Sequence, residues 1–133
     1  MTLGVDDLAR ARAFYAALGW VGQEVEETVF VQAGPMALVL WDRAKLAADC
    51  GVPGVGSGFD GMVLAQNVRS AAEVDAVVAA AGEAGATVTR APAPTFYGGY
   101  AGVFLDPDGH AWEIAFNPGF GLADDGALVL PEF

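Results

Sequence analysis

One acidic side chain interrupts an apolar strand-like run near the end of the sequence. β-Strand alternation places Glu113 between two alanines on one face, with the bulky Trp112 and Ile114 on the other. A carboxylate in apolar surroundings has a raised proton affinity, so Glu113 could act as a general base or hold a cationic ligand. The structural alternative is a glutamate that bonds neighbouring backbone or side chains. We predict Glu113 as the catalytic or ligand-binding residue.

Apolar and aromatic residues are the candidates for a pocket around this carboxylate. Strand alternation favours several aliphatic side chains, and the loop 92–100 combines stiffening prolines, two glycines and exposed aromatics. For each residue taken singly, core packing is the alternative. The predicted ligand-binding residues are Leu38, Leu40, Val63, Ala65, Phe96, Tyr97, Tyr100 and Glu113.

The single histidine and the single cysteine offer little further chemistry. His110 directly follows the turn 106–109, which predicts a pairing with a turn carboxylate or water. A proton carrier at the pocket rim is the alternative, and metal ligation is the least favoured. Cys50 has no second cysteine to pair with, which excludes an intrachain disulfide.

The elements that must position these residues occur twice in one order: strand, helix, three strands. The first half has helical spacing over Leu8–Leu18, capped by Asp6 or Asp7, and the second has a capping box from Ser70 to Glu73. A segment rich in glycine, 51–60, separates the halves. The first predicted strand ends at Val5. The others are Trp20–Val25, Thr28–Ala33, Met36–Trp41, Met62–Asn67, Ala86–Thr89, Tyr100–Leu105 and His110–Phe116, and Thr95–Phe96 is a possible further short strand.

Composition limits the class of protein and its partners. The 133 residues are 54% hydrophobic, enough for a packed core, and the formal net charge is −11. An acidic chain repels phosphates and anionic lipid, so we expect neither nucleic acid nor membrane as a partner. The N-terminus lacks an apolar signal region, so we expect a cytoplasmic protein.

Two segments make the sequence resemble the vicinal oxygen chelate superfamily, the glyoxalase/bleomycin resistance protein/dioxygenase group. These are Val5–Tyr15 followed by Leu18-Gly19-Trp20, and Phe104–Glu113. The resemblance implies an α+β fold in which two βαβββ modules form a curved mixed sheet around a cavity, usually in a homodimer. We therefore predict one domain, 1–133, with modules 1–50 and 61–118, linker 51–60 and a C-terminal tail, 119–133.

In metal-binding members of that superfamily, the first and last strands of each module supply the ligands. Counting from the hairpin glycines gives Glu113 and Leu38, and counting back from Val68 gives Val63. The fourth position falls before Met1. One carboxylate cannot retain a transition metal, so we predict no metal and no cofactor, with a divalent metal as the alternative. A shift of one residue would offer only Gln66, Trp112 or Ile114.

Two functions remain open at the level of sequence. The first is a metal-independent binding protein that sequesters an apolar or cationic small molecule. The second is a lyase, isomerase or dioxygenase of the same superfamily, which uses Glu113 as a base or a metal site that the counting misplaces. Whether the protein is an enzyme is left undecided, because one fold supports many reactions.

Overall fold

The computed structural model describes residues 1–50, 53–54, 59–60 and 62–132. It divides into two compact units, Met1–Met62 and Val63–Phe133. Each unit contains a four-stranded mixed sheet, and three helices accompany the two sheets in the described part of the chain. The predicted α+β class and the two βαβββ modules are confirmed. Most of the predicted linker, namely 51–52 and 55–58, lies outside the described residues.

The first unit has its sheet in the order β1-β4-β3-β2. β1 runs parallel to β4, and the remaining neighbours are antiparallel. The two hairpins connect strands that follow each other in sequence, and α1 carries the chain from β1 to β2. The elements are β1 (Thr2–Val5), α1 (Leu8–Ala17), β2 (Gln23–Val25), β3 (Thr28–Ala33), β4 (Met36–Asp42) and α2 (Arg43–Cys50).

The second unit repeats this plan in the order β5-β8-β7-β6, again with the first strand parallel to the last. A small hairpin formed by β9 and β10 follows in the C-terminal tail. The elements are β5 (Leu64–Asn67), α3 (Ala71–Glu83), β6 (Thr87–Pro94), β7 (Tyr100–Leu105), β8 (Ala111–Phe116), β9 (Gly121–Leu122) and β10 (Leu128–Val129).

One sheet face in each unit forms a core with a helix. In the first unit, Phe14 and Tyr15 of α1 are buried, as are Leu38 and Leu40 of β4. In the second unit, the buried side chains of α3 include Val74 and Val78, and those of the sheet are Phe104, Trp112 and Ile114. Full burial of each large apolar side chain contributes roughly 1.5–3 kcal/mol to folding, so these faces stabilise the two sheets.

The helix N-termini are capped by side chains. Of the two predicted candidates, Asp7 caps α1 and accepts a hydrogen bond of 2.9 Å from the amide of Arg10. At α3, Ser70 Oγ accepts from the amide of Glu73 at 3.2 Å. The returning carboxylate of Glu73 accepts from the amide of Arg69 at 2.6 Å, one residue earlier than a capping box predicts.

The prediction was wrong for the second strand of the second module. β6 does not end at Thr89 but continues to Pro94. Thr95 and Phe96, for which the sequence allowed a further short strand, lie in the connection to β7. β6 is the edge strand of its sheet, where proline removes no ladder hydrogen bond. Two register shifts accompany the prolines, between Val88 and Arg90 and between Arg90 and Ala93. The predicted loop 92–100 therefore shortens to 95–99.

No helix in the described part of the chain is both long and apolar enough to cross a membrane.

Candidate functional site

Glu113 lies in a row of four side chains that crosses the sheet of the second unit. Ala65 pairs with Glu113, Glu113 with Val103, and Val103 with Arg90. Paired residues in neighbouring strands point to the same face, so these four share the face opposite α3. Trp112 is buried on the other face, which confirms the predicted alternation along β8. We call this set the Glu113 row.

An ion pair spans the Glu113 row. Nη2 of Arg90 lies 2.9 Å from Oε2 of Glu113 and donates a hydrogen bond to it, passing over Val103. The Glu113 side chain is 33% exposed and that of Arg90 is 55% exposed. The expectation of a carboxylate in purely apolar surroundings was therefore wrong. The cause is the extension of β6 to Pro94, which brings a guanidinium into the row.

The paired atoms leave hydrogen-bonding capacity unused. Among the described residues, the Oε1 atom of Glu113 and the Nε and Nη1 groups of Arg90 have no hydrogen-bond partner. A carboxylate accepts through both oxygens, and a guanidinium carries five N–H donors. The row therefore presents acceptors and donors side by side, flanked by the hydrocarbon of Ala65 and Val103.

The first unit has an equivalent row without charge. Thr2 pairs with Val39, Val39 with Phe30, and Phe30 with Gln23. Strand for strand, Val39 occupies the position of Glu113 and Gln23 that of Arg90. We call this set the Val39 row. The second sheet therefore carries an ion pair where the first carries a valine and a glutamine.

This equivalence corrects the prediction for Leu38. A count of four residues from each hairpin glycine, Gly34 and Gly109, matched Leu38 with Glu113. The strand pairing instead makes Val39 the equivalent of Glu113, because each of the two pairs with the parallel first strand of its sheet. The reason is length: β4 has seven residues and β8 has six, so the count ends one residue short in β4. A step of one residue reverses the face of a strand.

Leu38 and Leu40 are consequently core residues. Both are 0% exposed. They pair with Val31 and Val29, which are buried too, within the core of the first unit. The prediction that they line a pocket was wrong for this physical reason.

Tyr100 also points away from the Glu113 row. Its hydroxyl donates a hydrogen bond of 2.9 Å to Oδ1 of Asp75 on α3. This contact, with smaller effects of burial and of the carboxylate's charge, raises the pKa of Tyr100 above its ordinary value. Tyr100 lies three residues before Val103 on β7, and an odd number of residues along a strand reverses the face. Tyr100 is therefore on the helix side of the sheet.

The remaining predicted residues lie at two places in the second unit. Ala65 belongs to the Glu113 row, and Val63 is exposed just before β5 begins. Phe96, which is 100% exposed, and Tyr97 stack edge to face at 5.3 Å at the tip of the β6–β7 hairpin. Tyr100, near that tip, lies three residue steps before Val103 of the row, or about 10 Å along the strand. The two aromatics are thus apart from the ion pair.

His110 has the structural role predicted for it. Its Nδ1 lies 2.8 Å from Oδ2 of Asp106, and the Oδ1 atom of that carboxylate accepts from the amides of Asp108 and His110. Asp106 is buried, so the hydrogen bonds compensate for the loss of hydration. The contact between Asp106 and His110 stabilises the β7–β8 hairpin, which directly precedes the strand that carries Glu113.

The described residues do not fit a divalent metal. Nowhere in residues 1–50, 53–54, 59–60 and 62–132 do three or more His, Cys, Asp or Glu side chains form a group that could hold an ion. The corrected equivalent of Glu113 is Val39, a hydrocarbon, and Glu113 itself is paired with Arg90. Such a set offers one carboxylate, whereas transition metals require several converging donors.

Arg90 is the residue of the candidate site that the sequence did not predict. It lies three residues after Thr87 in a run that includes Pro92 and Pro94, and the prolines argued against a strand. The usable signal was its charge, the only one in the run 86–99.

Comparison with known proteins defines the class. The profile of the Glyoxalase/Bleomycin resistance protein/Dioxygenase superfamily matches residues 1–114. A glyoxalase-related enzyme from Fulvimarina pelagi is 36% identical, with a TM-score of 0.91 over 99% of this chain and 96% of that chain. The chain therefore belongs to the Glyoxalase/Bleomycin resistance protein/Dioxygenase superfamily.

More distant structures share the fold. A hypothetical protein from S. aureus is 26% identical, with a TM-score of 0.79 over 86% of this chain and 89% of that chain. Lactoylglutathione lyase from Agrobacterium tumefaciens is 24% identical, with a TM-score of 0.66 over 87% of this chain and 90% of that chain. Comparison with curated proteins gives no significant match.

Proposed function

We propose that this protein binds a small molecule on the sheet face that carries the Glu113 row, and that it does so without a metal. The observation that carries the proposal is the partly exposed ion pair of Arg90 and Glu113, which lies beside the hydrocarbon of Ala65 and Val103. Two charges on an apolar face restrict the orientation of a ligand, because only a ligand with matching polar atoms compensates for their desolvation.

The ligand has an apolar body, which Ala65 and Val103 contact, and a polar group that reaches the ion pair. A cationic group is favoured by the net charge of −11, which attracts cations to the surface. Such a group binds the unused Oε1 atom of Glu113 and competes with Arg90 for the carboxylate. The protein then sequesters the compound rather than converting it.

A second candidate is an enzyme of the superfamily, a lyase, isomerase or dioxygenase, in which Glu113 acts as a base. The observation that favours it is the 36% identity to a protein described as a glyoxalase-related enzyme. Arg90 occupies the Oε2 atom of Glu113, so proton abstraction would use the Oε1 atom, which has no partner among the described residues.

The test is a thermal-shift screen of small molecules, followed by calorimetric titration of the compounds that stabilise the protein. Glu113→Gln should weaken their binding by about tenfold or more, because one charge-assisted hydrogen bond is lost. The matched control is Glu24→Gln, which removes a carboxylate of the first unit that is likewise paired to an arginine at 2.9 Å. It should leave binding unchanged.

Equal binding by wild type and Glu113→Gln would refute the proposal. Turnover of a compound by wild type and its loss in Glu113→Gln would favour the enzyme instead. Elemental analysis of purified protein should find less than stoichiometric transition metal, and one ion per chain would contradict metal-independent binding. We also propose a homodimer in the cytoplasm, and a monomeric mass by light scattering at micromolar concentration would contradict the dimer.

A further inference from the structure

A pocket lies within the second unit, at the end of β8 that is remote from the His110 turn. Its volume is about 310 Å³, at the lower end of the range of small-molecule sites. Its lining combines apolar side chains with a slightly larger share of polar surface, and it borders the start of α3 and the C-terminal tail. The side chains used below are Val68, Arg69, Phe116, Phe120 and Leu122.

Arg69 contributes a positive charge to this wall. Its Nη1 and Nη2 groups donate to the backbone carbonyls of Leu122 and Ala123, at 3.2 and 2.6 Å. Carbonyls are neutral acceptors, so the contacts fix the guanidinium without neutralising it. By contrast, Arg12 and Arg90 are each paired with a carboxylate. In the part of the chain that the structure describes, no carboxylate forms an ion pair with Arg69.

A turn holds another part of the pocket lining. Oδ1 of Asn117 accepts from the amide of Gly119 at 2.9 Å, and the carbonyl of Asn117 accepts from the amide of Phe120 at 3.1 Å. Phe116 and Phe120 flank this turn in the sequence, and both line the pocket. The aromatic wall and the guanidinium are thus both positioned before any ligand arrives, which reduces the entropy lost on binding.

We infer that this pocket binds a small aromatic carboxylate, with the ring against Phe116, Phe120 and Leu122 and the carboxylate against Arg69. Two hydrogen bonds to carbonyls leave further N–H donors on the guanidinium, and its planar form matches a carboxylate. The volume suits one substituted ring. The guanidinium adjoins the pocket, so its charge acts on a bound carboxylate at short range, whereas charges beyond about 8 Å are largely screened at physiological salt. This inference is independent of the Glu113 row.

The experiment is a titration of ¹⁵N-labelled protein with phenylacetate and with phenylacetamide, its uncharged counterpart. Phenylacetate should bind saturably and shift the amide signals of residues 68–69 and 116–123. Phenylacetamide should bind at least tenfold more weakly, because it cannot form the charged pair. Absence of saturable phenylacetate binding, or equal affinity for the two compounds, would overturn the inference.

Two variants separate the pocket from the tail it borders. Arg69→Gln should weaken phenylacetate binding about tenfold or more, but it also removes the contacts to the tail. Leu122→Trp keeps the guanidinium and fills the pocket, and should weaken binding to a similar extent. Glu113→Gln is the control and should keep the affinity for phenylacetate within about twofold. Unchanged affinity in both pocket variants, or signal shifts centred on Arg90, would overturn the assignment.

Discussion

The Glu113 row and the Val39 row occupy equivalent positions in two sheets of the same strand order, yet only one row is charged. On the helix side, both sheets bury large apolar side chains, such as Leu40 in the first and Ile114 in the second. The duplicated core is thus alike, whereas the opposite faces differ. Packing against a helix constrains the buried face to hydrocarbon, and the other face is free to carry chemistry in one copy alone.

The largest expected effect distinguishes the two faces of β4. Leu38→Ala should destabilise the protein by about 2–5 kcal/mol, because it leaves a cavity in the first core. Val39→Ala, one residue further, should cost less than half as much, because Val39 lies on the opposite, partly exposed face. The measurement is urea denaturation of both variants. Equal losses of stability would invalidate the corrected equivalence of Val39 with Glu113.

The next effect concerns the hairpins that precede the two rows. Asp106 is buried and accepts hydrogen bonds from two amides and from His110, whereas the β3–β4 turn is Gly34-Pro35. Asp106→Ala should cost about 2–4 kcal/mol, because the amides lose their partner in a buried place. Asp108→Ala serves as the neighbouring control and should cost less. A loss below about 1 kcal/mol for Asp106→Ala would show that the β7–β8 hairpin does not depend on this carboxylate.

These hairpins and rows also show how far the sequence predicts the structure. Alternation and capping residues predicted the duplicated modules and the face of Glu113. They misplaced Leu38, because the difference in length between β4 and β8 appears only once the strands are paired. Arg90 was missed because its strand contains prolines that only an edge position tolerates. The Arg69 pocket depends on contacts to a tail more than 50 residues away, which local patterns do not reveal.

A smaller effect is expected at the β2–β3 turn of the first unit. Glu26 and Glu27 both adopt positive φ, 47° and 61°, while the β6–β7 turn of the second unit uses Gly98 for this purpose. Glu26→Asn should stabilise the protein by roughly 0.5–1 kcal/mol, because asparagine tolerates the left-handed region. Chemical denaturation measures the change, and Glu24→Asn on the adjoining strand is the control. A loss of stability in Glu26→Asn would contradict the turn geometry.

The smallest effect is a dependence of stability on alkaline pH, to which the contact between Tyr100 and Asp75 of the second unit should contribute. The raised pKa of Tyr100 means that its contribution to stability is intact below the ordinary tyrosine pKa of about 10 and is lost as pH rises through the raised value. Tyr100→Phe should therefore flatten the fall in melting temperature between pH 9 and 12, while Tyr97→Phe should not. Identical pH profiles for wild type and Tyr100→Phe would exclude a role for the contact with Asp75.

The most direct test of ligand binding at the charged row is a map of the bound surface by ¹⁵N NMR. A compound found by the thermal-shift screen is titrated into wild type and into Glu113→Gln. We predict that amide shifts in wild type centre on Ala65, Arg90, Val103 and Glu113, and that they disappear at the same compound concentration in the variant. Shifts that centre on the Val39 row, or that persist unchanged in Glu113→Gln, would contradict the account.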